Sequence, residues 1–264
     1  HMTLETRNYI AGEWVNGTST IANINPSDTR DVIGQYAQAS QAQLESAVNA
    51  AQQAQAGWAR TPLEQRQTVL MKIGQELMAR AHELGELLAR EEGKPAAEGR
   101  GEVYRSGQFF TYYAAEVLRQ IGDNADSVRE GVDIDVRREA VGVVAIISPW
   151  NFPMATAAWK IAPALAFGNA VVWKPANLVP ASAVALTQII AKHGVPTGVF
   201  NLVMGAGSEV GNHLVNSTSI DAISFTGSVP VGRGIAMAGA ANFTRVQLVT
   251  VSYTPLTLPS IRPV

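Results

Sequence analysis

The sequence of 264 residues contains no cysteine. Disulfides are thereby excluded, and so is any mechanism in which a thiolate from this sequence attacks a substrate. Charge of either sign is scarce: 20 Lys and Arg stand against 22 Asp and Glu, a formal net charge of −2. That balance offers no sequence-wide attraction for nucleic acid or an anionic membrane, and neither is an expected partner. Long apolar runs are missing as well. No segment approaches the roughly 18 to 20 uninterrupted apolar residues of a membrane span, and Met2-Thr3-Leu4-Glu5-Thr6-Arg7 lacks the apolar centre of a secretion signal. A cytoplasmic protein is expected, with His1 read as a cloning remnant. His82, His193 and His213 are scattered over expected helices at no metal-ligand or triad spacing, so no metal site is expected.

The first third of the sequence reads as strand-poor and then helical. Tyr9 to Val15, with Gly12 at its centre, suggests a short hairpin, and Asn25 to Arg30 a turn-rich loop. From Gln41 the apolar positions Leu44, Val48, Ala51, Ala54 and Trp58 recur at the period of an amphipathic helix. Thr61-Pro62-Leu63-Glu64 joins a capping box to a proline at the first helical position, predicting one long helix through Leu70, Ile73, Leu77, Leu84 and Leu88 that stops at Gly93-Lys94-Pro95. A third helix carries Val103, Phe109, Phe110, Tyr113 and Val117 and closes at Gly122; its aromatic residues are read as core packing. Asp133 to Glu139 alternates Ile134 and Val136 with charged neighbours, which predicts a strand exposed on one face, part of an arm open to pairing.

After residue 141 the period changes. Near-continuous apolar runs at 142–147, 170–174, 199–204, 221–225 and 245–249 alternate with helical patterns near 154–167, 181–193, 208–216 and 229–240. Strands of this kind are buried on both faces by crossover helices, so the prediction is an α/β fold with a doubly wound, Rossmann-like parallel sheet. Ligands in such sheets sit at the carboxyl ends of strands. Four successive strand ends carry polar or glycine turns: Ser148-Pro149-Trp150-Asn151-Phe152-Pro153, Lys174-Pro175, Gly205-Ala206-Gly207 and Thr226-Gly227-Ser228. The run from Gly205 to Gly211 resembles a dinucleotide fingerprint with one residue too many, and it follows the third strand of the unit instead of the first. Thr226-Gly227-Ser228, opening a helix at Val229, would offer free N–H groups and a hydroxyl to a pyrophosphate, and Lys174 could reach a ribose hydroxyl or phosphate of the same ligand. The alternative for Lys174 is a solvated surface lysine.

The chain resembles the amino-terminal half of an NAD(P)-dependent aldehyde dehydrogenase, from about Asn8 to Leu248. The resemblance rests on Ser148-Pro149-Trp150-Asn151-Phe152-Pro153, on Asn169-Ala170-Val171-Val172-Trp173-Lys174-Pro175, on Gly198-Val199-Phe200-Asn201 and on Phe225-Thr226-Gly227-Ser228, in order and at family spacing. It implies that Asn151 donates its side-chain amide to the oxyanion of a thiohemiacetal, that Lys174 holds the adenosine ribose and that Ser228 holds the pyrophosphate. It further implies that Ile147, Ser148, Pro149, Trp150, Pro175, Gly207, Phe225, Thr226, Gly227 and Val231 line the dinucleotide. Asn177 stands where the family commonly has the glutamate that binds the ribose 2′-hydroxyl, so NADP is expected to be tolerated beside NAD. The Lys-Pro-Ala-Asn form leans towards semialdehyde oxidation. The domain plan implied is a helical part of the cofactor domain at 1–124, an oligomerisation arm at 125–141, an NAD(P)-binding core at 142–248 and a non-family tail at 249–264.

Mechanistically, Val249-Thr250-Val251-Ser252-Tyr253 stands where the family has its glutamate base and a Gly-Gly-Lys turn, ahead of the domain with the nucleophilic cysteine. The expectation is a truncated dehydrogenase with the catalytic domain absent, binding cofactor with little or no oxidation. The tail from Val251 to Ser260 is read as foreign sequence joined to an interrupted gene. Self-association through the arm and the 229–240 helix is expected, giving a homo-oligomer. Two rival readings remain: a non-catalytic module that assembles with full-length subunits, and an esterase using Ser148 or Ser228, which lacks an accompanying histidine.

Overall fold

The computed structural model describes residues 3–251. Its centre is a seven-stranded sheet. The apolar runs form β7 (Val143–Ile147), β8 (Ala170–Lys174), β9 (Phe200–Leu202), β10 (Ala222–Ser228) and β11 (Arg245–Val251), and the sheet order is β11-β10-β7-β8-β9, continued by β1 (Asn8–Ile10) and β2 (Glu13–Val15). All pairings from β11 to β9 are parallel, and the hairpin β1–β2 joins antiparallel through Tyr9 opposite Leu202. The chain progresses one way through β7, β8 and β9 and then the other way through β10 and β11. The order therefore reverses between β7 and β10, which is the switch point of a doubly wound fold.

Alternation along the strands divides the core in two. Val144, Ile146, Val171, Trp173, Phe200 and Leu202 pack in one cluster with α2 (Leu63–Ala79), α5 (Ala155–Ala166) and α6 (Pro180–Lys192). Val143, Ala145, Val172, Val203, Ile223 and Phe225 pack in the other with α1 (Gln41–Ala59), α7 (Asn212–Asn216) and α8 (Val229–Asn242). Outside the first face lie α3 (Ala81–Glu92) and α4 (Ala96–Glu116), with α4 crossing α2, α3 and α5. Two small antiparallel pairs complete the chain: β3 (Ser19–Ile24) with β4 (Val32–Gln38), and β5 (Asp123–Asp126) with β6 (Asp133–Val136).

The observed elements correct three expectations. The capping box at Thr61 is absent: α2 begins at Leu63 with Pro62 at the cap and no side-chain cap bond, while Thr61 Oγ1 donates to the Gly57 carbonyl at 3.1 Å and so closes α1. The box sits instead at the start of α1, where Ser40 Oγ accepts from Gln43 N at 3.1 Å and Gln43 Oε1 accepts from Ser40 N at 3.0 Å. The long helix breaks at Arg80, whose guanidinium holds Glu76 at 3.2 Å and Glu83 at 3.0 Å on the two sides of the break. The aromatic residues of α4 do pack on the core, Phe110 fully buried and Phe109 and Tyr113 half-buried against it. Strand β6 is exposed on both faces instead of one, paired only with β5.

Two glutamates bind the helical layer to the sheet domain. Glu91, at the end of α3, accepts from Ala181 N at 2.5 Å and Ser182 N at 2.9 Å, the first turn of α6, and from Asn23 Nδ2 at 2.6 Å. Glu102, in α4, accepts from Met154 N at 2.9 Å and Ala155 N at 3.1 Å, the first turn of α5. Each carboxylate meets otherwise unpaired N–H groups and the positive end of a helix dipole.

Candidate functional site

At the switch point β7 stops first. Its pairing with β10 ends at Phe225 opposite Ile147, whereas β10 continues beside β11 to Ser228 opposite Val251. Thr226-Gly227-Ser228 is thus strand, not the expected turn: β11 supplies a ladder partner on one side and the β7 side is left open. Ser228 is the cap residue of α8, exposed, and its side chain makes no cap bond. Gly227 carries no side chain where the Phe225 ring lies; a Cβ there would come within 2.6 Å of Phe225 Cζ. Val231 is exposed on the first turn of α8.

Across the crevice, Ile147 and Pro149 are half-buried, Trp150 is exposed, and Ser148 is buried with its Oγ accepting from Trp173 Nε1 at 2.9 Å. That bond uses one acceptor site of the Ser148 hydroxyl, and among the described residues no histidine hydrogen-bonds Ser148 or Ser228, as a serine esterase would require. Lys174 ends β8. It is only 5% exposed, so it is not a solvated surface lysine, and burial lowers its pKa to about 8. Its Nζ donates to the Pro175 carbonyl at 2.9 Å, which leaves donors to spare. Its stem runs beside Gly211, where an added Cβ would sit 3.5 Å from Lys174 Cδ and Cε. Gly211 closes a π-helical turn, Gly207–Gly211, in place of the regular helix start expected at 208. Gly207 is exposed with open space at its Cα. Beyond Pro175, the Oδ1 of Asn177 is buried without a hydrogen-bond partner.

Asn151 is held by its backbone. Lys94 Nζ donates to the Asn151 carbonyl at 2.8 Å, pairs with Glu102 Oε1 at 2.7 Å and lies 4.3 Å from the centre of the Phe152 ring. The side-chain amide of Asn151 has no partner among the described residues, so it remains a free donor. Lys94 and Glu102, which fix this loop, were missed by the sequence reading; Lys94 registered there only as part of a helix stop.

The structure also shows a cavity of about 720 Å³ between α5 and the uncovered face of β10 and β11. Of the predicted site residues only Thr226 lines it. Its walls include Trp159, Lys160, Ser224, Val246 and Gln247. Among the described residues no group of three His, Cys, Asp or Glu side chains is placed to hold a metal ion, and no helix is long and apolar enough to cross a membrane.

Strand order, switch point and polar strand ends define a Rossmann-like, doubly wound α/β protein. The chain belongs to the aldehyde dehydrogenase family, whose profile matches residues 14–256. It is 37% identical over 248 residues to the alpha-ketoglutarate semialdehyde dehydrogenase of Haloferax volcanii, covering 93% of this chain and 52% of that protein. It is 41% identical over 233 residues to the vanillin dehydrogenase of Corynebacterium glutamicum, covering 87% and 48%. Among solved structures, betaine aldehyde dehydrogenase from Staphylococcus aureus in complex with NAD+ superposes with a TM-score of 0.91 at 32% identity, covering 94% of this chain and 50% of that one. The chain spans about half the length of the curated relatives it matches.

Proposed function

We propose that this chain is the dinucleotide-binding half of an NAD(P)-dependent aldehyde dehydrogenase, and that with no cysteine and with valine at 249 it binds cofactor without oxidising aldehyde. The observation that supports the reading is a set of uncommitted polar groups at or just beyond the carboxyl ends of parallel strands. The spare Nζ donors of Lys174, the unpartnered Oδ1 of Asn177 and the uncapped first turn of α8 at Ser228 all lie at strand ends around the switch point. These groups fit a nicotinamide dinucleotide: Lys174 and Asn177 would hold the adenosine ribose, and the N–H groups behind Ser228 the pyrophosphate. Ile147, Ser148, Pro149, Trp150, Pro175, Gly207, Phe225, Thr226, Gly227 and Val231 would form the walls. The dinucleotide, when bound, supplies the hydride acceptor for aldehyde oxidation. Asn151 would point its free amide at charge developing on the aldehyde oxygen.

Asn177 carries no charge, so nothing at that position repels a 2′-phosphate. Calorimetric titration of the full chain is expected to show both NAD and NADP binding, with dissociation constants within about a hundredfold, or roughly 2.8 kcal/mol. Parallel assays of NADH production with a panel of aldehydes, semialdehydes included, are expected to show no turnover. Absence of binding by either dinucleotide would defeat the reading, and turnover would show a mechanism that needs no cysteine.

A second reading, an assembly module for full-length subunits, is favoured by the hairpin β5–β6, whose strand residues are exposed throughout. Mixing the chain with an intact homologue is then expected to change the oligomer size.

A further inference from the structure

A smaller cavity, of about 350 Å³, lies at the amino ends of the parallel strands, the opposite end from the crevice. Its wall comes from the carboxyl end of α1, the turn between α5 and β8, and the segment that leads into β7. Strand β11 is parallel to β10 and β10 to β7, so β11 runs away from this cavity. Three guanidinium groups, those of Arg60, Arg66 and Arg138, line the cavity with a single carboxylate, Glu139. Among the described residues none of the three forms an ion pair with Glu139 or with any other acid.

Arg66 is only 4% exposed, and arginine is almost never buried to that degree without a counter-charge. It passes Gly168, where an added Cβ would lie 2.7 Å from its Nη1. Its Nε is buried without a hydrogen-bond partner, and its terminal nitrogens, equally unpartnered among the described residues, are not sealed in. Burial, with nothing to oppose it, pulls its pKa below the usual arginine range. The carboxyl ends of α1 and α5 draw cations to this wall through their dipoles, but the carbonyls there accept from other donors: Gly168 from Gln55 Nε2 at 3.0 Å and Leu165 from Trp58 Nε1 at 2.9 Å.

We infer that this cavity binds a phosphate dianion, free or as a small monoester, with Arg66 at its base. Three cations against one carboxylate leave a net charge of +2, which a phosphate dianion balances and a monocarboxylate does not. The terminal nitrogens of a guanidinium form a fork that matches two oxygens of the anion. Arg138 is held in place for this: its Nε donates to the Ile121 carbonyl at 3.2 Å and its own carbonyl accepts from Gln120 Nε2 at 3.1 Å, so its terminal N–H groups are left for the ligand. Arg60 stands exposed at the rim with no partner for its side chain among the described residues. Glu139 offers an acceptor to a hydroxyl on the organic part of a monoester. None of the crevice residues lines this cavity, and the inference does not depend on dinucleotide binding.

The test is calorimetric titration of the full chain with inorganic phosphate, in a zwitterionic buffer held at constant ionic strength with chloride. One site is expected. Glycerol 3-phosphate, titrated in the same way, is the monoester arm, and the tighter of the two identifies the source of the phosphate group. Sodium acetate is expected to bind about tenfold more weakly or worse, because it brings one charge. Saturating NAD is expected to leave the phosphate affinity unchanged; displacement by NAD would put the phosphate in the crevice and overturn the inference. Arg66→Met keeps a long side chain without the charge, and Arg138→Gln removes a cation from an exposed position; each is expected to weaken phosphate binding by about tenfold or more. Should Arg66→Met fail to fold, Arg138→Gln decides. A wild-type chain that binds neither phosphate, acetate bound as tightly as phosphate, or an unchanged phosphate affinity in Arg138→Gln would overturn the inference.

Discussion

Glu91 and Glu102 do the same work at two places, and the chemistry around them differs. Glu102 has Lys94 beside it, a buried cation that balances its charge and in turn holds the Asn151 carbonyl. Removing Lys94 would leave the Glu102 carboxylate buried without a cation, the costly way to break such a pair, whereas removing Glu102 would leave Lys94 the Glu92 carboxylate at 3.3 Å. Glu91 has no cation within bonding distance among its partners; it has three N–H donors, all neutral, and the Tyr36 phenol nearby. Burial therefore outweighs the donors and pushes its carboxyl up to about 7. The folded protein binds this proton more tightly than the unfolded chain does, so the stability it contributes is present in full below about pH 4.5 and is lost as pH rises through about 7. Relative to Glu91→Gln, which cannot ionise, the wild type is expected to lose on the order of 3 kcal/mol between pH 4.5 and 8. Urea unfolding of both proteins across that range reads the difference in slope. Parallel slopes would mean that the carboxylate stays ionised on its three donors.

Between elements, the helical layer depends on close crossings. A Cβ on Gly74 of α2 would lie 2.6 Å from the Gly107 carbonyl of α4, and one on Gly107 would lie 2.7 Å from the Gly74 carbonyl. Backbone atoms cannot swing aside as a side chain does, so the two helices must separate. Alanine gains up to about 1 kcal/mol of helix propensity, against overpacking costs of about 1–3 kcal/mol. Gly74→Ala is expected to destabilise, while Gly57→Ala and Gly101→Ala, which meet nothing within 4 Å, are expected to stabilise. Opposite signs in chemical denaturation check the argument; a stabilised Gly74→Ala would refute it. The same dependence on partners explains what the sequence could and could not reveal. Strands β7 and β8 were legible nearly to the residue, because burial on both faces demands an unbroken apolar run. The pair β3–β4 was not, since Ser-Thr-Ile-Ala-Asn-Ile has no clean alternation and is held by its partner strand and by Asn23 on Glu91. Strand β10 was read three residues short because Thr226 to Ser228 are strand only beside β11. Lys160 and Glu102 escaped notice for a related reason: a charged residue in a helix reads as a solvent face until the element packed against it is known. The polar strand ends at Ser148, Lys174 and Ser228 were legible because chain order alone puts them at one edge of a parallel sheet.

For the molecule as a whole, one part of the exposed apolar surface stands on a hairpin that another chain could cover. The hairpin β5–β6 and its turn expose Val128, Val132, Ile134 and Val136, and neither strand pairs with the main sheet. A two-stranded ribbon without a packed face is marginal by itself in water, so its persistence calls for a partner surface. Edge hydrogen-bonding groups on the ribbon and its β-branched side chains suit another strand. The chain is therefore expected to be a dimer or larger by light scattering at tens of micromolar. Ile134→Lys combined with Val136→Lys puts two cations on the ribbon without touching the core, since both positions are solvent-exposed and neither belongs to the two buried clusters. That double variant is expected to shift the distribution towards monomer while leaving dinucleotide binding intact, because the crevice at Lys174 and Ser228 lies on different elements. A wild-type chain that runs as a clean monomer would remove the arm from the argument. An unchanged oligomer in the double variant would move the contact elsewhere, and α8 is the next surface to charge, with Val229, Val231 and Met237 exposed along it.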